Sequence, residues 1–264
     1  MNKTITLFLF LFACCCFSQE QKIEATFISN EKLTAELILG SDSLGNVYFV
    51  SNEILYKKNK NEVHQYKNIA LGKISHVDFL NPLRIVLFYE DFNTVIFLDN
   101  QFNEIQKINL SESLPSLAIT AIGNASQNRL WIYDNLNQQI SLYDYLKNTH
   151  QTISPVAIGN FLYYETQFNT IQWIDVNSNW FICDVFGKIT NKGKVSAFEQ
   201  IQLLPNYGTL FYYEGKLKIQ DLKKQNTYTV ENIPKTFHKF YYKDQILSIF
   251  TNEGITNYKI IIPN

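Results

Sequence analysis

The sequence is poor in charge, in methionine and in alanine. Charged residues make up 18% of its 264 residues, and 23 basic residues nearly balance 24 acidic ones. A protein that grips a phosphate backbone needs a basic surface, so this balance argues against a nucleic-acid partner. Hydrophobic residues reach 46% and aromatic residues 15%, which excludes a disordered chain. The abundance of tyrosine, phenylalanine and isoleucine favours strands over helices.

Cysteine is scarce, and three of the four cysteines lie at 14–16. They follow a basic start and an apolar run over 7–12, a pattern typical of a secretory signal peptide. We therefore predict a signal peptide at 1–18, one domain at 19–264 and a periplasmic location. A lipoprotein anchored at Cys14 is the less favoured alternative, because Phe12 occupies a position that normally holds a small or β-branched residue.

Signal cleavage leaves Cys183 as the one remaining cysteine, which predicts a chain without an intramolecular disulfide. Cys183 ends an apolar run, 180–183, so we interpret it as a buried, inert thiol rather than a nucleophile. No later apolar run approaches the roughly 20 residues of a membrane helix, which predicts a mature chain without a transmembrane segment.

A repeat runs through the rest of the chain. Alternating apolar strands end at Asp99, Asp144, Asp184 and Asp221, and two further copies end at Lys58 and Lys259. A second strand and a turn rich in Asn, Asp or Gly precede each copy, a third strand leads it, and a fourth usually follows. Four antiparallel strands in each of six repeats predict an all-β fold, a six-bladed β-propeller. A β-sandwich would not accommodate so many units.

The last repeat stops after three strands, whereas the mature chain begins with a spare strand, 22–28. The simplest closure uses this N-terminal strand as the fourth strand of the last blade. The ring would then have no open seam at which another chain could pair.

The turns between the second and third strands carry at least one carboxylate in every repeat: Glu53, Glu90 with Asp91, Asp134, Asp175, Glu214 and Glu253. We expect them to form an acidic loop face that docks a basic partner or attracts a cation. The alternative is that acidic residues simply suit solvated turns. Within this face, Glu90, Asp91, Phe92 and Asn93 are predicted to bind a partner; alternatively, Phe92 folds back over its hairpin.

Catalytic and metal-binding motifs are missing, so no metal or other cofactor is predicted. Residues 175–179 open like a calcium loop, but Trp180 stands where that loop needs glycine, which favours a plain turn. An enzyme would have to use the central channel, where we expect polar residues of the leading strands: Glu36, His76, Asp78, Glu165, Glu199 and His238. A small-ligand-binding or calcium-dependent, lactonase-like propeller therefore remains the alternative function.

Two features carry a resemblance to known proteins. Residues 42–48 are similar to the first strand and turn of NHL-like propeller blades. The stretches 72–75, 81–94 and 98–105 resemble a small propeller family of the Bacteroidota that includes an accessory component of the type 9 protein secretion system. This resemblance implies a non-enzymatic periplasmic adaptor without catalytic residues. Its partners would be the outer-membrane translocon and other periplasmic secretion proteins, and these would hold it at the outer membrane.

Overall fold

The computed structural model describes residues 21–156 and 158–263. Six sheets are arranged around a central axis, each with its first strand innermost. The inner strands contact one another from blade to blade, which shows that they surround the axis. The predicted six-bladed β-propeller is therefore confirmed. The signal peptide and Cys14 lie outside the described residues.

The strands of blades 1 to 3 follow one another along the chain from the axis outward. Blade 1 contains β3 (Leu37–Ser41), β4 (Val47–Ser51), β5 (Ile54–Lys58) and β6 (Val63–Tyr66). Blade 2 contains β7 (His76–Asp78), β8 (Ile85–Tyr89), β9 (Thr94–Leu98) and β10 (Glu104–Asn109). Blade 3 contains β11 (Ile119–Asn124), β12 (Arg129–Asp134), β13 (Gln139–Asp144) and β14 (Thr149–Thr152).

Blades 4 to 6 follow the same order. Blade 4 contains β15 (Phe161–Gln167), β16 (Thr170–Asp175), β17 (Asn179–Asp184) and β18 (Ile189–Lys194). Blade 5 contains β19 (Gln200–Leu204), β20 (Gly208–Tyr213), β21 (Lys216–Asp221) and β22 (Asn226–Glu231). Blade 6 contains β23 (Lys239–Lys243), β24 (Ile246–Thr251) and β25 (Gly254–Lys259). A 3-10 turn, Glu90–Phe92, and helix α1, Leu110–Ser113, interrupt the strands of blade 2 and the connection that leaves it.

The amino-terminal segment closes the ring, but as two strands rather than one. Strand β1 (Gln21–Glu24) runs parallel to β22 and adds a fifth strand to blade 5. Strand β2 (Thr26–Glu31) pairs antiparallel with β25 and supplies the missing fourth strand of blade 6. The expected single strand over 22–28 is therefore corrected to two strands that meet at Ala25. Ile23 and Ala25 are buried in the core shared by these two blades.

The repeated aspartates close turns. Asp99, Asp144, Asp184 and Asp221 each accept hydrogen bonds from backbone N–H groups two residues and three or four residues ahead. A short carboxylate beside free backbone donors stabilises such a turn. The repeat that reveals the fold in the sequence is thus a repeat of turn chemistry.

The middle strands of a blade can be buried on both faces because each blade packs between two neighbours. Every residue of β8 and β9 is buried, and the side chains of Trp131, Trp173 and Trp180 are inaccessible. Cys183 is buried as expected, and burial raises the pKa of its thiol to about 11. Within the part of the chain that the structure describes, no helix is long and apolar enough to span a membrane.

Candidate functional site: the BC face and the central channel

The turns between the second and third strands all emerge on one side of the disc, because adjacent strands are antiparallel and every blade repeats the same order. We call this side the BC face. It consists of the turns 52–53, 90–93, 135–138, 176–178, 214–215 and 252–253. The connections between blades reach the same side: Leu110 of α1 donates its N–H to the carbonyl oxygen of Asn93 at 2.8 Å.

The loop 90–93 is held rigidly and presents an aromatic side chain. The N–H of Glu90 donates to Ser75 Oγ at 3.0 Å, and that of Asn93 donates to the carbonyl oxygen of Glu90 at 2.9 Å. Asn93 adopts a left-handed conformation and its side-chain amide donates to Ser111 Oγ at 3.1 Å. Phe92 is 51% exposed, so it does not fold back over the hairpin. A fixed, exposed aromatic ring loses little conformational entropy on binding.

Exposed apolar side chains continue from Phe92 onto the next two blades. Leu136 is 72% exposed in the turn of blade 3, and Val176 is 59% exposed in the turn of blade 4. Leu162, near the start of β15, is 55% exposed. The corresponding turns of blades 1, 5 and 6 are two residues long and contain only Asn, Glu and Gly. Among the turns between second and third strands in the described chain, exposed apolar side chains therefore occur on blades 2 to 4.

The acidic residues expected on the BC face divide into two groups. Glu53, Glu90, Asp91, Glu214 and Glu253 are exposed, and Glu53 forms an ion pair with Lys67 at 3.6 Å. Asp134 is only 2% exposed, so its expected place on an acidic surface is corrected. Its carboxylate accepts hydrogen bonds from the N–H groups of Ala118 and Leu136 and from the side chain of Asn137.

The Asp175 carboxylate also accepts hydrogen bonds within its own turn, as expected for a plain turn rather than a calcium loop. Its Oδ1 accepts from the N–H groups of Asn177 and Asn179, and its Oδ2 accepts from the Asn179 side chain at 2.9 Å. Asp42 with Asn46 and Asp99 with Asn103 repeat this geometry in other blades. Among residues 21–156 and 158–263, no three His, Cys, Asp or Glu side chains form a cluster of the kind that holds a metal ion.

Three polar residues expected in the channel lie outside it. Glu36, Glu199 and His238 precede the inner strands of blades 1, 5 and 6. Glu36 and Glu199 accept from turn N–H groups of their own blades, and His238 Nε2 lies 2.6 Å from Asn252 Oδ1. This prediction was wrong because side chains alternate between the two sides of a strand, and the sequence does not show which side faces the axis.

The channel contains a cavity of about 600 Å³ lined by the inner strands of blades 1, 2, 4, 5 and 6. Blade 3 does not line this cavity, because the Asp78 side chain of blade 2 lies between blade 3 and the cavity. The Oδ2 of Asp78 accepts from the Asn124 N–H at 2.6 Å and from Thr166 Oγ1 at 3.0 Å, while Oδ1 accepts from the Leu80 N–H at 2.7 Å. Blades 2 and 4 thus meet in front of β11.

Glu165 joins blade 4 to blade 5 at the cavity wall. Its Oε1 accepts from Tyr163 at 2.7 Å and from the Leu203 N–H at 2.9 Å. Burial raises the pKa of Glu165 despite these bonds. Burial, followed by the charge of Glu165, raises the pKa of Tyr241 to about 12. His76, Asp78 and Glu165 therefore do reach the cavity as expected, but both carboxylates connect blades.

Sequence reasoning missed Lys239, Tyr241 and Lys243, which line the cavity at alternate positions of β23. Their two-residue spacing was visible, but only the sheet order shows that this side of β23 faces the axis. Leu136 and Val176 were missed on the BC face, although Val176 directly follows Asp175 and Leu136 lies two residues after Asp134, both predicted members of the acidic loop face.

No protein-family model matches the sequence, and no curated protein is significantly similar to it. Solved structures share its fold. YCF48 bound to a D1 peptide is 13% identical with a TM-score of 0.57, covering 91% of this chain and all 100% of its own. Virginiamycin B lyase from Staphylococcus aureus is 13% identical with a TM-score of 0.52, covering 86% and 80%. These similarities show the propeller fold and leave the choice between enzyme and binding protein to the site.

PorZ, a type-IX secretion component of Porphyromonas gingivalis, is also similar. It is 12% identical with a TM-score of 0.45, and the match covers 93% of this chain and 38% of PorZ. Similarity at that level is common among propellers of any function, so it does not assign this chain to the secretion system.

Proposed function

We propose that the protein is a non-enzymatic periplasmic adaptor of the type 9 secretion translocon at the outer membrane, related to the propeller family that includes PorD. The resemblance of residues 72–105 to that family supports the secretion role. The observation that carries the protein-binding role is Phe92, held half-exposed by its loop and flanked by Glu90 and Asp91. An exposed aromatic residue beside carboxylates suits the centre of a protein interface.

The BC face also indicates the chemistry of the partner. Phe92, Leu136, Leu162 and Val176 offer apolar contacts, and neither Glu90 nor Asp91 has an ion-pair partner among the described residues. A partner segment with apolar side chains between Lys or Arg residues would match both features. The translocon subunit that contacts this face would carry such a segment.

The calcium-dependent, lactonase-like alternative depends on carboxylates that converge in the channel. Asp78 and Glu165 do line the cavity, but each accepts hydrogen bonds that connect neighbouring blades. This arrangement gives them a structural task and favours the adaptor.

The test is a pull-down from outer-membrane extracts with the tagged mature protein, analysed by mass spectrometry. We expect recovery of the translocon channel and its periplasmic partners, and loss of that recovery in Phe92→Ser. Phe186→Ser is the matched control, because Phe186 is 91% exposed in a turn on the opposite face. Recovery lost with Phe186→Ser and kept with Phe92→Ser would move the interface to the other face. Failure to recover secretion proteins, together with tightly held calcium, would replace the adaptor by the enzyme.

A further inference from the structure

Two basic side chains lie at one end of the central cavity. His76 opens β7 of blade 2 and Lys239 opens β23 of blade 6, on either side of blade 1. Both line the cavity. Inner strands begin on the side reached by the connections between blades, so both residues lie at the BC end of the channel.

Among the described residues, neither of these two side chains has a hydrogen-bond partner, unlike Lys243 and Gln202 of the same cavity. Lys243 Nζ donates to the Asp42 carbonyl oxygen at 3.1 Å, and the Gln202 side chain bonds both the N–H and the carbonyl of Tyr242 at 2.7 Å. No hydrogen bond or ion pair joins the Lys239 ammonium or the His76 ring to another side chain within 21–156 and 158–263. The His76 ring instead lies against Tyr164, with 5.1 Å between centroids.

A partly buried ammonium without a counter-ion is energetically costly. Burial lowers the pKa of Lys239. Burial also lowers the pKa of His76; Asp78 on its own strand opposes this effect and Lys239 on β23 adds to it. Asp78 already accepts three hydrogen bonds, so it is not available as a counter-ion to Lys239. Asp42, Glu165 and Asp244 also line the cavity, but no ion pair joins Lys239 to a carboxylate among the described residues.

The walls beside these two basic side chains are aromatic. Tyr163, Tyr164, Tyr241 and Phe79 line the same cavity, and its volume of about 600 Å³ is within the range of small-molecule sites. Flat apolar bodies pack favourably against such rings.

We propose that the BC end of the central cavity binds a small organic anion, whose carboxylate or phosphate group contacts Lys239 and His76 while its flat apolar body lies among the tyrosines. An anion there would favour the protonated form of His76, whose neighbours are Asp78, Lys239 and Tyr164. Binding should therefore tighten as the pH falls through the pKa of His76.

Benzoate and phenyl phosphate are suitable probes, and benzyl alcohol is a neutral analogue of benzoate. We would titrate each into the mature protein by calorimetry and follow the His76 ring by NMR. We expect benzoate, phenyl phosphate or both to bind, to shift the His76 signal and to raise its pKa; the preferred probe identifies the anionic group. Benzyl alcohol should bind at least about tenfold more weakly, the loss expected for one charge-assisted hydrogen bond.

Lys239→Gln should weaken anion binding by about tenfold or more, for the same reason. Lys188→Gln is the control, because Lys188 is an exposed lysine in a turn on the opposite face. Lys239→Gln should also keep or raise the melting temperature, since it removes an unpaired charge; this result verifies that the variant is folded. Binding that is equal in wild type and Lys239→Gln, binding of benzyl alcohol as tight as that of benzoate, or no binding of either anion would overturn the proposal.

Discussion

The inner strand of blade 3, β11, contacts those of blades 2 and 4 directly, whereas blades 1, 5 and 6 border the cavity together with blades 2 and 4. In the first half of this comparison, blades 2 to 4, a Cβ on Gly123 would lie 2.1 Å from Thr166 Oγ1. Glycine at this position therefore lets β11 and β15 come into contact. In the second half, blades 1, 5 and 6, the Gln202 side chain links blades 5 and 6 by hydrogen bonds. The Tyr241 hydroxyl of blade 6 donates to the Ser41 carbonyl oxygen of blade 1 at 3.2 Å. Direct contacts between strands therefore hold the inner strands of the first half together, whereas side-chain hydrogen bonds link the blades of the second half around the cavity.

The two halves also differ in how the chain holds them together. Blades 2 to 4 are built from consecutive segments, whereas blades 5 and 6 depend on β1 and β2 from the other end of the chain. The apolar BC turns, with Phe92, Leu136 and Val176, lie on the consecutive half. The proposed partner surface therefore rests on the part of the ring that does not depend on the chain ends.

The largest effect is expected from deleting residues 21–31. This change removes both strands that close blades 5 and 6 and exposes the core around Ile23, a side chain whose burial alone contributes roughly 1.5–3 kcal/mol. We expect loss of a cooperative thermal transition measured by circular dichroism. Adding a peptide of residues 21–31 should restore the transition. A deletion variant that melts like the wild type would show that blades 5 and 6 do not need the amino-terminal strands.

The second largest loss of stability is expected from Asp78→Ala, which tests the contacts among blades 2, 3 and 4. It removes the acceptor for the Leu80 N–H, the Asn124 N–H and the Thr166 hydroxyl. We expect a loss of about 3–5 kcal/mol in the free energy of unfolding, because buried donors lose their partners. Urea denaturation measures this loss. Gln202→Ala, in the other half, should cost about 1–2 kcal/mol. Equal costs would remove the distinction between the two halves.

Gly254→Ala should have the next effect, at the contact between β25 and β2. An added Cβ would lie 2.1 Å from the Glu31 carbonyl oxygen, at a φ of 134°. We expect a loss of about 2–3 kcal/mol, from backbone strain and displacement of β2. Gly215→Ala is the control: Gly215 has a φ of 75° but no atom near the added group, so about 1 kcal/mol is expected there. If both variants unfold at the same urea concentration, the close approach of β2 is unimportant.

The smallest effect is a pH dependence at Glu165. Its folded pKa is raised by burial, so its contribution to stability is present below its unfolded pKa of about 4.3 and is lost as the pH rises through the folded pKa. Each tenfold change in its acid constant corresponds to about 1.4 kcal/mol. Glu165→Gln should therefore gain stability relative to wild type as the pH rises above about 4, as followed by melting temperature. A constant difference over this range would contradict the assignment.

Much of the fold was predictable from local signals. The repeat was marked by the aspartates that directly follow Leu98, Tyr143, Cys183 and Gln220, because turns demand particular residues at particular positions. The division of the first segment at Ala25 was not predictable, since nothing local distinguishes a strand that pairs with β22 from one that pairs with β25.

The candidate site was predictable in part. The loop 90–93 combined an aromatic residue with carboxylates in a turn, and the structure places Phe92 at the surface. Asp134 shows the limit of that reasoning, because whether a turn carboxylate faces solvent or its own backbone depends on the hydrogen bonds available around it. Glu36, Glu199 and His238 were wrongly expected in the channel, because the sequence does not show which side of each strand faces the axis.

The sequence by itself determined the number of blades, the strand order within each blade and the turns on one face, because strand alternation and turn chemistry are local properties. Only the tertiary structure decided that blades 2 and 4 meet over β11, that the amino-terminal segment divides between two blades and that Lys239 and His76 line the same cavity. These depend on contacts between residues far apart in the chain, such as Asp78 with Thr166, and no local pattern encodes which distant groups will meet.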